Sequence, residues 1–307
     1  MSTIAWIGLG HMGAPMSGNL VAAGHTVRGF DIAPACIEAA AARGVTTVGS
    51  VAEALEGAEA CFTSLPMPAH VRGVYDGPDG IWAHAASDTL LLDTSTVDVD
   101  TSRWCHDESS ARGFTFVDSP VSGGTAGAEA HSLTFMLGGA ATDLERAKAF
   151  VEPMAGSVIL CGEATAGIAS KLVNNMMLFV SALGVAEGSQ LAERLGLDPT
   201  VFWNVANVSS GASWPQRTWY PVPGVVSTGA ADKNFDATFS LDLARKDCSL
   251  AVQAGESAGL NLPAAELALA QFEQLVGEGL GAKDTMLITK LVTPDGSLRG
   301  YDPSLDA

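Results

Sequence analysis

Short apolar runs alternate with amphipathic stretches from the N-terminus to about residue 162, and beyond that point only helical periodicity is left. The stretch from Ile4 to Asp31 reads as a short apolar strand, a glycine-rich turn, a helix and a second strand that ends in an acid. The pattern continues with strands at 45–48, 58–66, 89–96, 114–120, 132–139 and 157–162, and helices at 34–42, 50–57, 68–75, 97–111 and 141–151. Strands that alternate with helices of this length predict a mostly parallel sheet covered on both faces. Residues 165–195 then read as one long helix, with Ile168, Leu172, Asn175, Met176, Phe179, Leu183 and Ala186 on recurring sides. Further helices are expected near 199–206, 238–258, 263–277 and 283–291, and no strand pattern returns.

The first turn carries the most specific chemistry. In GLGHMG, Gly8, Leu9, Gly10, His11, Met12 and Gly13, the first glycine permits the tight turn and the second lets a pyrophosphate approach the backbone. The third lets the helix lie close to the sheet, and the helix start points unpaired N–H groups at phosphates. Asp31 follows about 20 residues on, placed to accept from a ribose diol and to repel a 2'-phosphate, so NAD is expected over NADP. Arg28 lies inside the second strand, whereas a phosphate reader belongs at or after Asp31. The fold class that follows is α/β. A Rossmann-type dinucleotide-binding domain is expected over 1–163, a long interdomain helix over 164–195, and an all-α domain for substrate and oligomerisation over 196–307. The substrate cleft is expected between the two domains.

Composition narrows the partners. With 34 acidic against 16 basic residues the formal charge is −18, which repels nucleic acid and anionic lipid and requires well-placed lysines for any acidic substrate. There is no N-terminal leader pattern and no uninterrupted apolar run of membrane-spanning length, so a cytoplasmic protein is expected. The cysteines at 36, 61, 105, 161 and 248 form no close pair and are expected to be reduced thiols. The six histidines are scattered, no metal motif is present, and His106-Asp107-Glu108 reads as the solvated face of a polar helix. Several C-terminal helices are apolar on more than one side, as burial against a partner subunit or a solitary helical core would require. The stretch after Pro294 lacks periodicity and is expected to fold back or fray.

Two further segments carry candidate chemistry. Asp118 to Gly124, DSPVSGG, follows a strand, where Ser122 offers a hydroxyl and Gly123 and Gly124 offer N–H groups to a carboxylate, although an ordinary loop reads the same way. Lys171 and Asn175 share a face of the long helix, with Asn174 beside them. A helical lysine is by default solvated, but this one sits among apolar residues near the expected cleft, where it can exchange a proton with a carbonyl oxygen while an asparagine fixes its position. Lys246, in LDLARKD, is a third candidate, where Arg245 and Asp247 fit a surface ion pair as well.

These motifs resemble the β-hydroxyacid dehydrogenase family over nearly the whole chain, through GLGHMGAPMSGNL with GHTV, DSPVSGGTAGAEA, GIASKLVNN, YPVPGV and LARKD. YPVPGV points toward the hydroxyisobutyrate branch. The resemblance implies a homodimer or homotetramer that oxidises 3-hydroxyisobutyrate with NAD. Lys171 would be its proton donor and acceptor and Asn175 the positioning partner, with Ser122, Gly123 and Gly124 holding the substrate carboxylate and Lys246 closing over cofactor and substrate. Leu65, Pro66, His70 and Thr96 would border the nicotinamide, His70 departing from the asparagine of close relatives. Phe239, seven residues before Lys246 on the same expected helix face, is a cofactor contact or a core residue. His131 stands where a glycine commonly precedes the next strand. Partial burial would lower the lysine pKa and give an alkaline optimum. Another small 3-hydroxy acid, L-serine or 3-hydroxypropionate, fits the same motifs, with Trp214, Arg217 and Trp219 as candidate pocket residues or subunit packing. An imine reductase or a non-catalytic NAD-binding module fits them less well.

Overall fold

Each apolar run of the N-terminal part is too short for a helix and is bounded by turn residues, and in the computed structural model, which describes residues 1–305, these runs pair into one nine-stranded sheet. Strands β1 (Thr3–Ile7), β2 (Thr26–Phe30), β3 (Thr46–Thr47), β4 (Ala60–Thr63), β5 (Leu90–Asp93) and β6 (Thr115–Asp118) run parallel in the order β3-β2-β1-β4-β5-β6. Their crossovers contain helices α1 (Gly13–Ala22), α2 (Pro34–Ala41), α3 (Val51–Leu55), α4 (Pro68–Tyr75), α5 (Ile81–His84) and α6 (Val99–Ala111). Beyond β6 come β7 (Val121–Ser122), α7 (Gly124–Glu129), β8 (Leu133–Gly138), α8 (Ala141–Val151) and β9 (Ala155–Gly162). Here β8 lies antiparallel to β6 and β7 but parallel to β9. Strands β4 and β5 are buried along their whole length, as a parallel strand covered on both faces must be.

The strand order reverses between β1 and β4, and this switch point is where an open α/β sheet receives ligands. Its floor is aromatic: Trp6 stacks on Phe62 with ring centroids 4.8 Å apart and donates its Nε1–H to the Gly8 carbonyl at 2.9 Å. These two rings belong to a core that also contains Leu9, Met16, Leu92 and Phe135.

Helix α9 (Ala166–Arg194) follows, and the chain divides inside it into compact units Met1–Lys171 and Leu172–Ala307. The sequence places the boundaries at either end of this helix instead. The second unit contains α10 (Pro199–Asn207), α11 (Trp214–Thr218), α12 (Leu241–Ser257) and α13 (Pro263–Gly277). Three of these begin on a side-chain cap that accepts a first-turn N–H: Asp198 from Val201, Ser213 from Gln216 and Ser240 from Leu243. The expected helix at 283–291 is a 3-10 helix over Thr285–Val292, begun by Asp284, whose side chain accepts from Met286 N only two residues on. Phe179, Phe235, Cys248 and Phe272 lie in the second core. The segment after Pro294 folds back onto this unit, with Leu298 buried, Tyr301 edge-on to Phe235 and Arg299 3.4 Å from Glu193.

By length and composition α9 is also the one helix among the described residues that could cross a membrane. Its Leu172, Phe179, Ala182, Leu183, Val185 and Ala186 are buried within the protein, which is how a core helix passes the same test. All five cysteines are free, and burial pushes the Cys248 thiol up to about 12.

At the end of β5, Asp93 is buried and accepts from Thr63 Oγ1 at 2.7 Å and Ser95 N at 3.1 Å. Burial is the largest influence and pushes its carboxyl up to about 6, with the charge of Asp118 adding to the rise. Because the folded-state value lies above the ordinary 3.8, the cost of burying the charge is absent below about pH 4 and complete above about pH 6. Asp93→Asn keeps the accepting oxygen, so urea unfolding should show no gain near pH 4 and a gain on the order of 2 kcal/mol near pH 7.5. An equal change at both pH values would contradict this origin.

Candidate active site

The glycine-rich turn between β1 and α1 is shaped by what cannot fit. A Cβ on Gly8, whose φ is +95°, would lie 2.3 Å from the Ser64 carbonyl, and one on Gly13 would lie 1.9 Å from the Gly8 carbonyl. Gly10 has no atom within 4 Å of such a Cβ and leaves open space. Leu9 is fully buried, His11 is exposed and Met12, the N-cap of α1, contributes no side-chain cap. A ten-residue helix that starts without a side-chain cap beside an open glycine fits a pyrophosphate. Asp31 accepts from Leu9 N at 2.6 Å and Ala33 N at 2.8 Å, so the acid that ends β2 also braces the turn. Arg28 instead reaches the end of α3, where its Nη1 donates to the Glu56 carbonyl at 2.9 Å and pairs with the Glu56 carboxylate at 3.3 Å.

On the neighbouring strand ends, Leu65 is half-buried and donates its N–H to Ser95 Oγ at 2.9 Å, which ties the loops after β4 and β5 together. Thr96 lies next in that second loop, half-buried, while Pro66 and His70 are exposed, the latter on α4. Ser122 ends β7, half-buried, and Gly123 and Gly124 follow exposed with φ of +133° and +63°. Two successive positive φ values turn the chain abruptly into α7, a path side chains resist. His131 has φ +53°, which explains the preference for glycine at that position, since histidine is among the few side chains that enter this region.

Lys171 lies five residues after the start of α9 and is 9% exposed. One turn further, Asn175 is buried and donates its Nδ2–H to Asp247 Oδ2 at 2.7 Å, while its Oδ1 accepts from Asn174 at 3.2 Å. On α12, Lys246 Nζ lies 3.0 Å from the other oxygen of Asp247, an ion pair without hydrogen-bond alignment. Asp247 is thus buried between two expected site residues, where the sequence also left a surface pair open. Its signal was the lysine-aspartate step on a helix with a buried face. Phe239 is not on that helix, because Ser240 caps α12 and Asp284 takes the N–H groups of Thr238 and Phe239. Its ring lies between Phe179 and Trp219, 6.3 and 6.2 Å from their centroids. Trp214 meets Trp219 edge-on at 4.8 Å, and Arg217 lies with them on or beside α11. His106 is a second correction, for its side chain is 11% exposed and its Nε2 lies 2.7 Å from Asp118. Helix α6 turns one face toward the sheet, and the polar run masked it.

The glycine turn, the Asp31 brace and the doubly wound sheet define a nicotinamide-dinucleotide oxidoreductase with a helical second part. Residues 3–162 match the NAD binding domain of 6-phosphogluconate dehydrogenase, and residues 165–292 match the NAD-binding domain of NADP-dependent 3-hydroxyisobutyrate dehydrogenase. The chain is 37% identical over 294 residues to the NAD-dependent L-serine dehydrogenase of Pseudomonas aeruginosa, covering 96% of this chain and 99% of that one. It is 44% identical over 263 residues to a probable 3-hydroxyisobutyrate dehydrogenase of Mycobacterium tuberculosis, covering 86% and 88%. The solved structure of 3-hydroxyisobutyrate dehydrogenase from that organism with L-serine superposes with a TM-score of 0.88 at 41% identity, covering 95% of this chain and 99% of that one. The chain therefore belongs to the β-hydroxyacid dehydrogenase family, and is an NAD-dependent dehydrogenase with relatives named for 3-hydroxyisobutyrate and for L-serine.

Asp31 supplies a charge test of cofactor choice. Asp31→Asn keeps an acceptor for Leu9 N but removes the repulsion on a 2'-phosphate, so the ratio of kcat/KM for NAD over NADP should fall roughly 10- to 100-fold. An unchanged ratio would assign cofactor choice to another residue.

Proposed function

We propose that this enzyme oxidises 3-hydroxyisobutyrate to methylmalonate semialdehyde with NAD, a step of valine breakdown. Burial of Lys171 within the first turns of α9 carries this reading, because a lysine kept from water is placed for chemistry rather than solubility. Bound NAD supplies the hydride acceptor. Ser122 and the N–H groups of Gly123 and Gly124 hold the substrate carboxylate, and the Lys246 charge offsets the acidic character of the chain around it, while Lys171 acts as the neutral amine. Lys171 Nζ accepts the hydroxyl proton as the carbinol carbon gives up its hydride, and returns it to the carbonyl oxygen in reduction. Asn175, fixed by Asp247, positions the reacting oxygen or the lysine. Leu65, Pro66, His70 and Thr96 border the nicotinamide, and Phe239 contributes an aromatic edge.

L-serine is the second reading, favoured by the Pseudomonas relative named for it and by the L-serine in the mycobacterial structure. It makes the same demands at the carboxylate and carbinol. Reduced thiols and a charge of −18 suit a cytoplasmic enzyme.

A homo-oligomer accompanies this reading. Val173, Met177 and Leu191 are exposed on α9, with Leu195 exposed just past its end, and Gly184, Glu187, Leu191 and Arg194 line an open groove of about 860 Å³ beside Leu291 to Pro294. A second copy packed antiparallel with Glu187 against Arg194 would cover the C-terminal end of this surface at Leu191 and Leu195. Light scattering should give at least twice the 31.4 kDa chain mass. Leu191→Glu should shift it toward one chain, and a monomeric wild type would exclude the arrangement.

Initial rates with 3-hydroxyisobutyrate, L-serine, 3-hydroxypropionate and D-glycerate at alkaline pH test the substrate. The highest kcat/KM is expected for 3-hydroxyisobutyrate with NAD, and a preference for L-serine would establish the second reading. Lys171→Ala should lower kcat by about 10³-fold or more while NADH affinity stays within about threefold. Appreciable residual turnover would remove the lysine from its role.

A further inference from the structure

The aspartate of the DSPVSGG segment does more than close a strand. Asp118 ends β6 with its side chain 3% exposed, and its carboxylate reaches across to the start of α9. Oδ1 accepts from Thr165 N at 3.0 Å and Oδ2 from Ile168 N at 2.7 Å. A residue 47 to 50 positions upstream thus satisfies the N–H of the residue that precedes the helix and one first-turn N–H that a local cap normally meets. Thr165 holds φ +73°, a conformation a β-branched residue rarely adopts, and its bond to Asp118 lies at that bend. Two glycines make room for the reach. A Cβ on Gly138 would lie 2.6 Å from Asp118 Oδ1, and one on Gly167 would lie 2.8 Å from Oδ2.

The carboxylate is itself held. His106 Nε2 lies 2.7 Å from Asp118 Oδ1, and since a carboxylate accepts, Nε2 carries the proton. The imidazole stands edge-on to Phe116 at 4.8 Å, which fixes its plane. From this anchor Ser122 is four residues along the chain in one direction. Lys171 is three residues beyond Ile168 in the other.

We infer that His106 and Asp118 are positioning residues that set the first turn of α9 relative to the end of β6, and thereby hold Lys171 in register with the Ser122–Gly124 loop. The inference rests on Lys171 as the proton acceptor. A displacement of about 1 Å at such a group is enough for a loss on the order of 100-fold, so partial loosening should be visible in turnover. Removing only the histidine donor leaves both backbone bonds to Asp118 in place and should cost less.

The test uses the full chain with NAD and whichever of the four acids it turns over best. His106→Gln keeps a donor at nearly the reach of Nε2, His106→Asn is one carbon short, and His106→Leu has none. Leu and Asn should lower kcat roughly tenfold with KM for the acid and the Kd for NADH within about threefold, and Gln should recover most of the loss. Amide exchange in the peptide spanning 163–171 should quicken in Leu and Asn and stay near wild type in Gln. If the leucine variant fails to fold, the asparagine and glutamine pair carries the comparison. Unchanged kcat in all three, equal losses in all three, or unchanged exchange would overturn the positioning role. Lys171→Ala is measured alongside: if it is inactive while the His106 variants are fully active, only the positioning role falls, whereas turnover in Lys171→Ala removes the proton-acceptor reading itself.

Discussion

A backbone N–H removed from water must find an acceptor, and in this protein several of the critical ones find a carboxylate from elsewhere in the chain. Asp31 serves the turn after β1, Asp93, more locally, the turn after β5, Asp118 the start of α9, and Asp284 the segment before α12 and the head of the 3-10 helix Thr285–Val292. Asp31, Asp118 and Asp284 each join two pieces of backbone whose relative position matters, and Asp93 joins its own turn to the Thr63 side chain. Asp31 belongs to the nucleotide turn and Asp118 to the helix of the candidate base. Charge-assisted bonds of this kind are the stronger class of hydrogen bond, and their buried setting makes their loss expensive.

The same acids explain what was and was not legible in the sequence. Regular elements were readable because local rules agree with the fold. The expected helices 68–75 and 141–151 coincide with α4 and α8, since proline starts the first and Leu144, Ala147 and Val151 recur at helical spacing on the buried face of the second. The glycine-rich turn was readable because its steric demands admit one residue type. Long-range wiring was not readable. Nothing near His106 says that its partner is Asp118, and nothing near Asp247 says that Asn175, 72 residues away, donates to it. Periodicity reports which face is apolar and is silent on which polar residue of that face has a buried partner.

Misplaced boundaries have the same cause. Phe239 fell into an expected helix because apolar spacing continues through it, while the capping Ser240 starts the helix only at Leu241 and Asp284 takes the Phe239 N–H. The short elements β7, α7 and α11 carry too few residues to show a period, yet two of them frame Ser122 to Gly124. Functional loops are where local propensity has least to say, because their geometry is imposed by the strands that hold them.

The reach of Asp118 also bears on where the first unit ends as a folding module. The two family matches meet between residues 162 and 165, and that seam runs between the carboxylate and both amides it holds. A fragment cut there would retain every strand of the sheet and the His106 contact, yet leave a buried acid without the two backbone N–H groups it accepts from. Carried through Lys171, the fragment would include the turn of helix that neutralises the problem. The nucleotide-binding half is in this sense not a self-sufficient exchangeable cassette: its last structural component is borrowed from the helix that begins the next one.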